Sequence, residues 1–376
     1  MARRAVVSAV LLMAAFFGSG VPSAVASQGT TPDLITGSAY LATPGNLIGG
    51  HYYESFPGTA DWGLTIDGAL ALAASRDDDA ALRGILAYLK DGGKDPSGTT
   101  VNGWTGIGTS DASGGAIGKE ALLVEVTGGD PRRFGGHDLI AALDASICTR
   151  VSTGCPAAGS YLNSTSVFDQ VFGVIAQLRA GQASAATAPI AYLESLQSAN
   201  GSFPSLIPPS GGPDVDSTAM AVMALALAPG PRAAADVAAG IAWIADRQEH
   251  NGGFPGAGAE SINSTALAIQ ALTLRAGAHR AQISAALAFL ASQQNSNGGF
   301  NADAGQPGSN LRASTQAVGG AAGTSFGTLR IDLTGAAPVA SQPRQAESTR
   351  APGLVLVVAA VAIAALVLLV FRRRRS

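Results

Sequence analysis

Two aspartates, Asp214 and Asp216, stand directly before Ser217, Thr218 and an apolar run, TAMAVMALAL. The pair permits two chemistries. A carboxyl kept protonated by a neighbouring acid above an apolar pocket can donate a proton, and the pair offers both members of such an arrangement. Alternatively both aspartates cap a helix, satisfying free N–H groups and the positive end of its dipole, and do nothing reactive. Four more charged residues, Asp67, Lys119, Glu120 and Asp169, fall inside apolar runs. Charges there must pair or face a polar lumen. Lys119 therefore pairs with Asp67 or Asp169, or these residues join Asp214 in a polar wall that binds a ligand. His51, His137, His250 and His279 have no third metal ligand nearby in sequence, so neither a metal nor any other cofactor is expected.

The elements that position these residues repeat with a period of about 50 residues, and such a period decides a fold before any single motif does. AYLESLQSANGSF (191–203), AWIADRQEHNGGF (242–254) and AFLASQQNSNGGF (288–300) share one phrase: a helix ending in Gln, a Gly turn and an aromatic. A threonine then opens a second helix, at Thr218, Thr265 and Thr315. Weaker copies lie upstream. The first has Tyr40, a turn ending at Tyr52 and a helix from Thr65. The second has Tyr88, a turn at Asn102-Gly103-Trp104 and AIGKEALLVEV. The third has HDLIAALDASI, a turn at Gly159-Ser160-Tyr161 and VFDQVFGVIAQL. Six copies give about twelve helices. First helices such as DVAAGIAWIADRQ carry one apolar stripe, whereas second helices such as TALAIQALTL are apolar nearly all round. Half-buried and fully buried helices in alternation fit two concentric rings, or an open solenoid of six hairpins.

The Gln…Gly-x-aromatic phrase resembles the repeat of terpene cyclases and of protein prenyltransferase β subunits, with Phe in place of the cyclases' Trp. That resemblance implies an all-α fold, an (α/α)6 toroid of six helix-hairpin repeats. Asp214-Val215-Asp216-Ser217-Thr218-Ala219 is similar to the Asp-x-Asp-Asp-Thr-Ala acid motif of squalene–hopene-type class II cyclases. The resemblance implies that Asp216 protonates an isoprenoid alkene or epoxide. Ser217 replaces the last acid of that motif, and aromatics make up only 6% of the chain, few for a cavity that stabilises carbocations through ring faces. Prenyltransferases hold zinc through Asp, Cys and His, a set these residues do not match. The toroid also looks like the helical domain of the intrinsic factor and transcobalamin family, which implies corrinoid capture for a transporter. The β domain with which that family closes over its ligand is expected from a separate chain.

The ends have their own signatures. Residues 1–26 combine Arg3 and Arg4, a short apolar stretch and Ala24-Val25-Ala26, which reads as a cleaved secretory signal. Residues 353–371 carry no charge and precede four arginines. At about 1.5 Å per residue they cross a ~30 Å bilayer core, and the arginines place the tail 372–376 in the cytoplasm. The expected organisation is a toroid ectodomain over 30–332, a linker over 333–352 and one C-terminal transmembrane helix. This puts the protein in the cell membrane as a single-pass chain with its ectodomain outside. In an exported chain, Cys148 and Cys155 are expected to form a disulfide; so short a loop contributes about 2.5 kcal/mol in the chain-entropy model. Of 23 basic and 26 acidic residues, six arginines belong to the two ends, which leaves the ectodomain near −9 and argues against nucleic acid as a partner. The leading functional expectation is a non-catalytic surface protein that binds a small hydrophobic or corrinoid ligand, or a partner chain or transporter. The alternatives are a class II cyclase-like enzyme acting through Asp216 and a plain interaction scaffold.

Overall fold

The structure, a computed structural model, describes residues 30–210, 212–256 and 260–333. The expected signal, anchor and tail, and all of the linker but Leu333, lie outside these residues. Among the described residues no helix is long and apolar enough to cross a membrane. The disulfide expected between Cys148 and Cys155 is present.

Six helical hairpins follow one another. They are α1 (Leu34–Ala42) with α2 (Trp62–Ser75), then α3 (Asp79–Lys90) with α5 (Gly114–Val126), the one-turn α4 (Val101–Thr105) lying between them. Next come α6 (Leu139–Ala145) with α7 (Val167–Arg179) and α8 (Thr187–Ser195) with α9 (Val215–Leu225). The last are α10 (Pro231–Ala245) with α11 (Ile262–Leu272) and α12 (Ala276–Ser292) with α13 (Leu311–Ala321). The second helix of each pair is buried almost throughout and the first along one stripe. Inner helices α2, α5, α7, α9, α11 and α13 each pack on the next, and α13 packs back on α2. The ring is closed, and the open solenoid is excluded.

The repeated phrase makes the joints. Gly201, Gly252 and Gly298 have φ between 88° and 92°, a region that costs glycine nothing. A Cβ on them would also stand 2.0–2.4 Å from a carbonyl oxygen of the following outer helix, that of Ala239, Ala285 or Thr36. Gln197 donates to the carbonyls of Gly201 and Asp236, and Gln248 to those of Gly252 and Gln282. The turn aromatics Phe203, Phe254 and Phe300 are fully buried, and each donates its backbone N–H to a hydroxyl of its inner helix: Thr218, Thr265 and Ser314.

Two sequence registers need correction. In the sixth copy Ser314, not Thr315, accepts that bond. In the first, Tyr53 rather than Tyr52 is the plug; it is fully buried and bonded to Thr65. In both cases adjacent residues of similar type hid the shift, and the acceptor geometry reveals it.

After α13 the chain crosses the C-terminal ends of the inner helices as a strap over 324–333. Ile331 and Leu333 donate to the carbonyls of Val126 and Thr127, Arg179 holds the carbonyls of Phe326 and Gly327, and Gln270 holds that of Thr324. Its own Phe326, Leu329 and Leu333 are buried.

Candidate functional site

All six inner helices contribute to one cavity of about 230 Å³ in the toroid lumen, lined by Asp67, Lys119, Phe168, Phe172, Asp216, Met220, Asn263, Leu267, Arg312, Gln316 and Phe326. The lining follows one rule. Each inner helix has an anchor residue near its start: Thr65, Ile117, Gln170, Thr218, Thr265 or Ser314. The lining residues lie two before or two after that anchor, four apart on one helix face. The earlier positions are Phe168, Asp216, Asn263 and Arg312, with Gly63 and Gly115 in the first two copies. The later positions are Asp67, Lys119, Phe172, Met220, Leu267 and Gln316. The lumen is thus a cup whose upper tier lies near the helix N-termini, and Phe326 of the strap reaches it from the opposite end.

Lys119 Nζ stands 2.7 Å from Asp67 Oδ1, the side chains 13% and 9% exposed, and 5.2 Å from the centre of the Phe172 ring. Of the two partners expected for Lys119, the structure selects Asp67. Higher up, Arg312 pairs with Asp61 at 2.7 Å. Burial disfavours the Asp61 carboxylate, but bonds from Ser55 and the Leu64 N–H, with Arg312, outweigh it and hold the group below its ordinary range.

Asp216 has the opposite balance. Burial pushes its carboxyl up to about 6; a bond from Ser264 pulls it back slightly, and the Asp214 charge raises it further. Its Oδ1 finds no hydrogen-bond partner among the described residues, and Oδ1 of Asn263, on the adjacent helix, is equally unpartnered. Two polar oxygens of the lumen thus have no partner among the described residues.

The other candidates stand elsewhere. Asp214 caps α9, accepting from the Ser217 N–H at 2.6 Å. Asp169 closes a capping box with Ser166 at the start of α7. Neither lines the cup, so the polar wall comprises Asp67 and Lys119 but not Asp169 or Asp214. Sequence reasoning missed Phe168, Phe172, Asn263, Arg312 and Gln316. Counting two residues back from Thr265 would have found Asn263, whereas the others need the anchors Gln170 and Ser314, which only the hydrogen bonds to Tyr161 and Phe300 reveal.

A family model described as the prenyltransferase alpha-alpha toroid domain matches residues 156–318. No curated protein matches the chain. Among solved structures, the type II terpene cyclase MstE from Scytonema (apo) aligns with a TM-score of 0.52 at 14% identity, over 77% of this chain and 96% of its own. A variant glycosidase in complex with glucose aligns at 0.53 and 15%, over 79% and 97%. A protein from Actinoplanes aligns at 0.52 and 18%, over 77% and 97%. At these identities the likeness is one of fold. The fold is the alpha-alpha toroid that the matching family model describes.

Proposed function

We propose that this chain is a membrane-anchored, extracellular toroid that binds rather than transforms. Its cup takes a small polar ligand or the polar end of a larger molecule. The observation that carries this reading is the Lys119–Asp67 pair beside Phe172. The two charges are committed to each other, and the ammonium already occupies the neighbourhood of the ring that would stabilise a carbocation. Asp67, Lys119, Asn263 and Gln316 offer donors and acceptors of both kinds, while Phe168 and Phe172 offer ring faces. At about 230 Å³ the cup is below the ~300–1,000 Å³ range of pockets that enclose drug-sized ligands. A whole corrinoid therefore does not enter; it would rest on the mouth, covered by a separate chain.

One observation favours the enzymatic alternative: Asp216 is an acid with a raised pKa and a free oxygen in a partly ring-lined lumen. In that reading it protonates an isoprenoid, as expected of a class II cyclase.

One experiment separates the two. The full chain in detergent micelles is offered monosaccharides, a corrinoid and linear isoprenoids, and complexes and products are read by native mass spectrometry. The binding reading expects an unchanged adduct that weakens at least tenfold in the double variant Asp67→Asn/Lys119→Met. A cyclised product that disappears in Asp216→Asn would overturn it and establish the enzyme.

A further inference from the structure

On the face opposite the mouth of the cup, the strap and the ends of α5 and α7 enclose a second cavity of about 560 Å³. Arg132, Arg179 and Arg330 line it, with Glu125 among them. The hydrogen bonding there is lopsided. Glu125 is 6% exposed, yet neither carboxyl oxygen has a hydrogen-bond partner among the described residues. Its nearest cation is Arg179, whose Nε lies 3.5 Å from Oε2 and is itself unpartnered. Arg179 is committed to the strap through Nη1, and Arg132 donates from Nη2 to the Ala180 carbonyl at 3.0 Å. Arg330 is exposed, and among the described residues no hydrogen bond engages its guanidinium. Burial pushes the Glu125 carboxyl up to about 8 against the pull of Arg179, Arg132 and Arg330. Asp130 also lines the cavity, but its Oδ1 accepts the Arg132 N–H and its Oδ2 stands 4.0 Å from Arg133, so the guanidinium donors of Arg132 and Arg330 outnumber the acceptors left open.

We propose that this cavity binds a phosphate group, with the guanidinium groups of Arg132 and Arg330 engaging its oxygens above Glu125. A planar carboxylate is satisfied by one guanidinium fork, whereas a tetrahedral anion uses donors arriving from several directions. The volume exceeds that of the anion and leaves room for whatever carries it. Two sources share this chemistry. One is a soluble phosphate ester. The other is a phospholipid headgroup, because the strap runs on to Leu333 along this face and the apolar segment 353–371 is expected to enter a membrane. The site is independent of the cup, so either reading can fail without the other.

The test uses the full chain in detergent micelles and isothermal titration calorimetry with inorganic phosphate at constant ionic strength. Phosphate is expected to bind, and Arg330→Ala and Arg132→Ala are each expected to weaken it at least tenfold. Arg330 is exposed, so its variant should keep the wild-type melting temperature. Glu125→Gln, which cannot ionise, should retain binding and carry it to higher pH. Phosphatidylglycerol added to the micelles will displace phosphate if the source is a lipid and will leave it bound if the source is soluble; either result upholds phosphate chemistry. Absence of a phosphate heat, or equal affinity in Arg330→Ala, overturns the proposal.

Discussion

Gln294 grips Asp33 by both backbone groups across 261 positions of sequence: its Oε1 accepts the Asp33 N–H at 2.8 Å, and its Nε2 donates to the Asp33 carbonyl at 2.8 Å. This is the joint that closes the ring, made by the same glutamine that links successive repeats at Gln197 and Gln248. Those two donate to a single carbonyl of the next outer helix, whereas Gln294 makes two backbone bonds. Gln294→Ala should therefore destabilise more than Gln197→Ala or Gln248→Ala. Each net hydrogen bond contributes about 0.5–1.5 kcal/mol, so the loss is about 1–3 kcal/mol. Urea midpoints of the three variants would rank them, and equal midpoints would show that closure adds nothing to the ordinary joint.

Close packing against the inner helices sets a second prediction. A Cβ on Gly68 would lie 2.1 Å from the Tyr53 ring, and one on Gly173 would lie 2.3 Å from the Tyr161 ring. A Cβ on Gly118 would lie 2.6 Å from the backbone nitrogen of Gly173. Overpacking of this kind costs about 1–3 kcal/mol. Gly68→Ala should be rescued in part by Tyr53→Leu, since a side chain can be trimmed. Gly118→Ala should be the costliest of the three and have no such suppressor, because it presses on backbone. Thermal melts of the single and paired variants check this ordering.

Much of this was legible in the sequence, and the illegible parts share a physical cause. Gln197, Gly201 and Phe203 recur because each joint needs an amide bridging two helices, a glycine under a carbonyl and a ring in the seam, so type and spacing announce them. The lumen demands only that a side chain fit, and its positions vary freely between copies: Asp67, Lys119, Phe172, Met220, Leu267 and Gln316 are equivalent by place and unlike by chemistry. Register error compounded this. Counting from Thr315 puts Ala313 and Ala317 in the lumen, where counting from Ser314 puts Arg312 and Gln316. Asp169 and Asp214 resembled site residues because a helix cap and a lumen acid use the same side chain, and only the observed acceptor geometry tells them apart. The strap over 324–333 has no repeat to betray it.

The lumen ion pair should behave as a buried pair. Removing one partner leaves a charge without compensation, which costs about 3–5 kcal/mol, while replacing both by neutral groups of similar size is much less damaging. Asp67→Asn and Lys119→Met should each lower stability by that amount, and the double variant should recover most of it. A double-mutant cycle in guanidinium reads the coupling. Additive losses would mean that water screens the pair and that the lumen is wetter than its burial implies.

Three carboxyl groups give the last prediction, on pH. Burial raises Asp216 to about 6, Glu120 to about 7 and Glu125 to about 8. A carboxyl that keeps its proton longer in the folded chain than in the unfolded one stabilises the fold fully below its unfolded pKa of about 4. That stability is lost as pH rises to the folded value, because the unfolded chain ionises first. The protein should therefore be most stable near pH 4–5 and weaken steadily up to about pH 8. Glu120 is the cleanest probe: it is 2% exposed, burial is the cause of its shift, and its Oε2 has no partner among the described residues. Glu120→Gln should remove the part of the slope between about pH 4.5 and 7 and leave the variant more stable than wild type at pH 8 by on the order of 3 kcal/mol. Melting temperatures of both proteins from pH 4 to 9 make the comparison, and parallel curves would mean that Glu120 ionises in the folded chain as readily as it does in water.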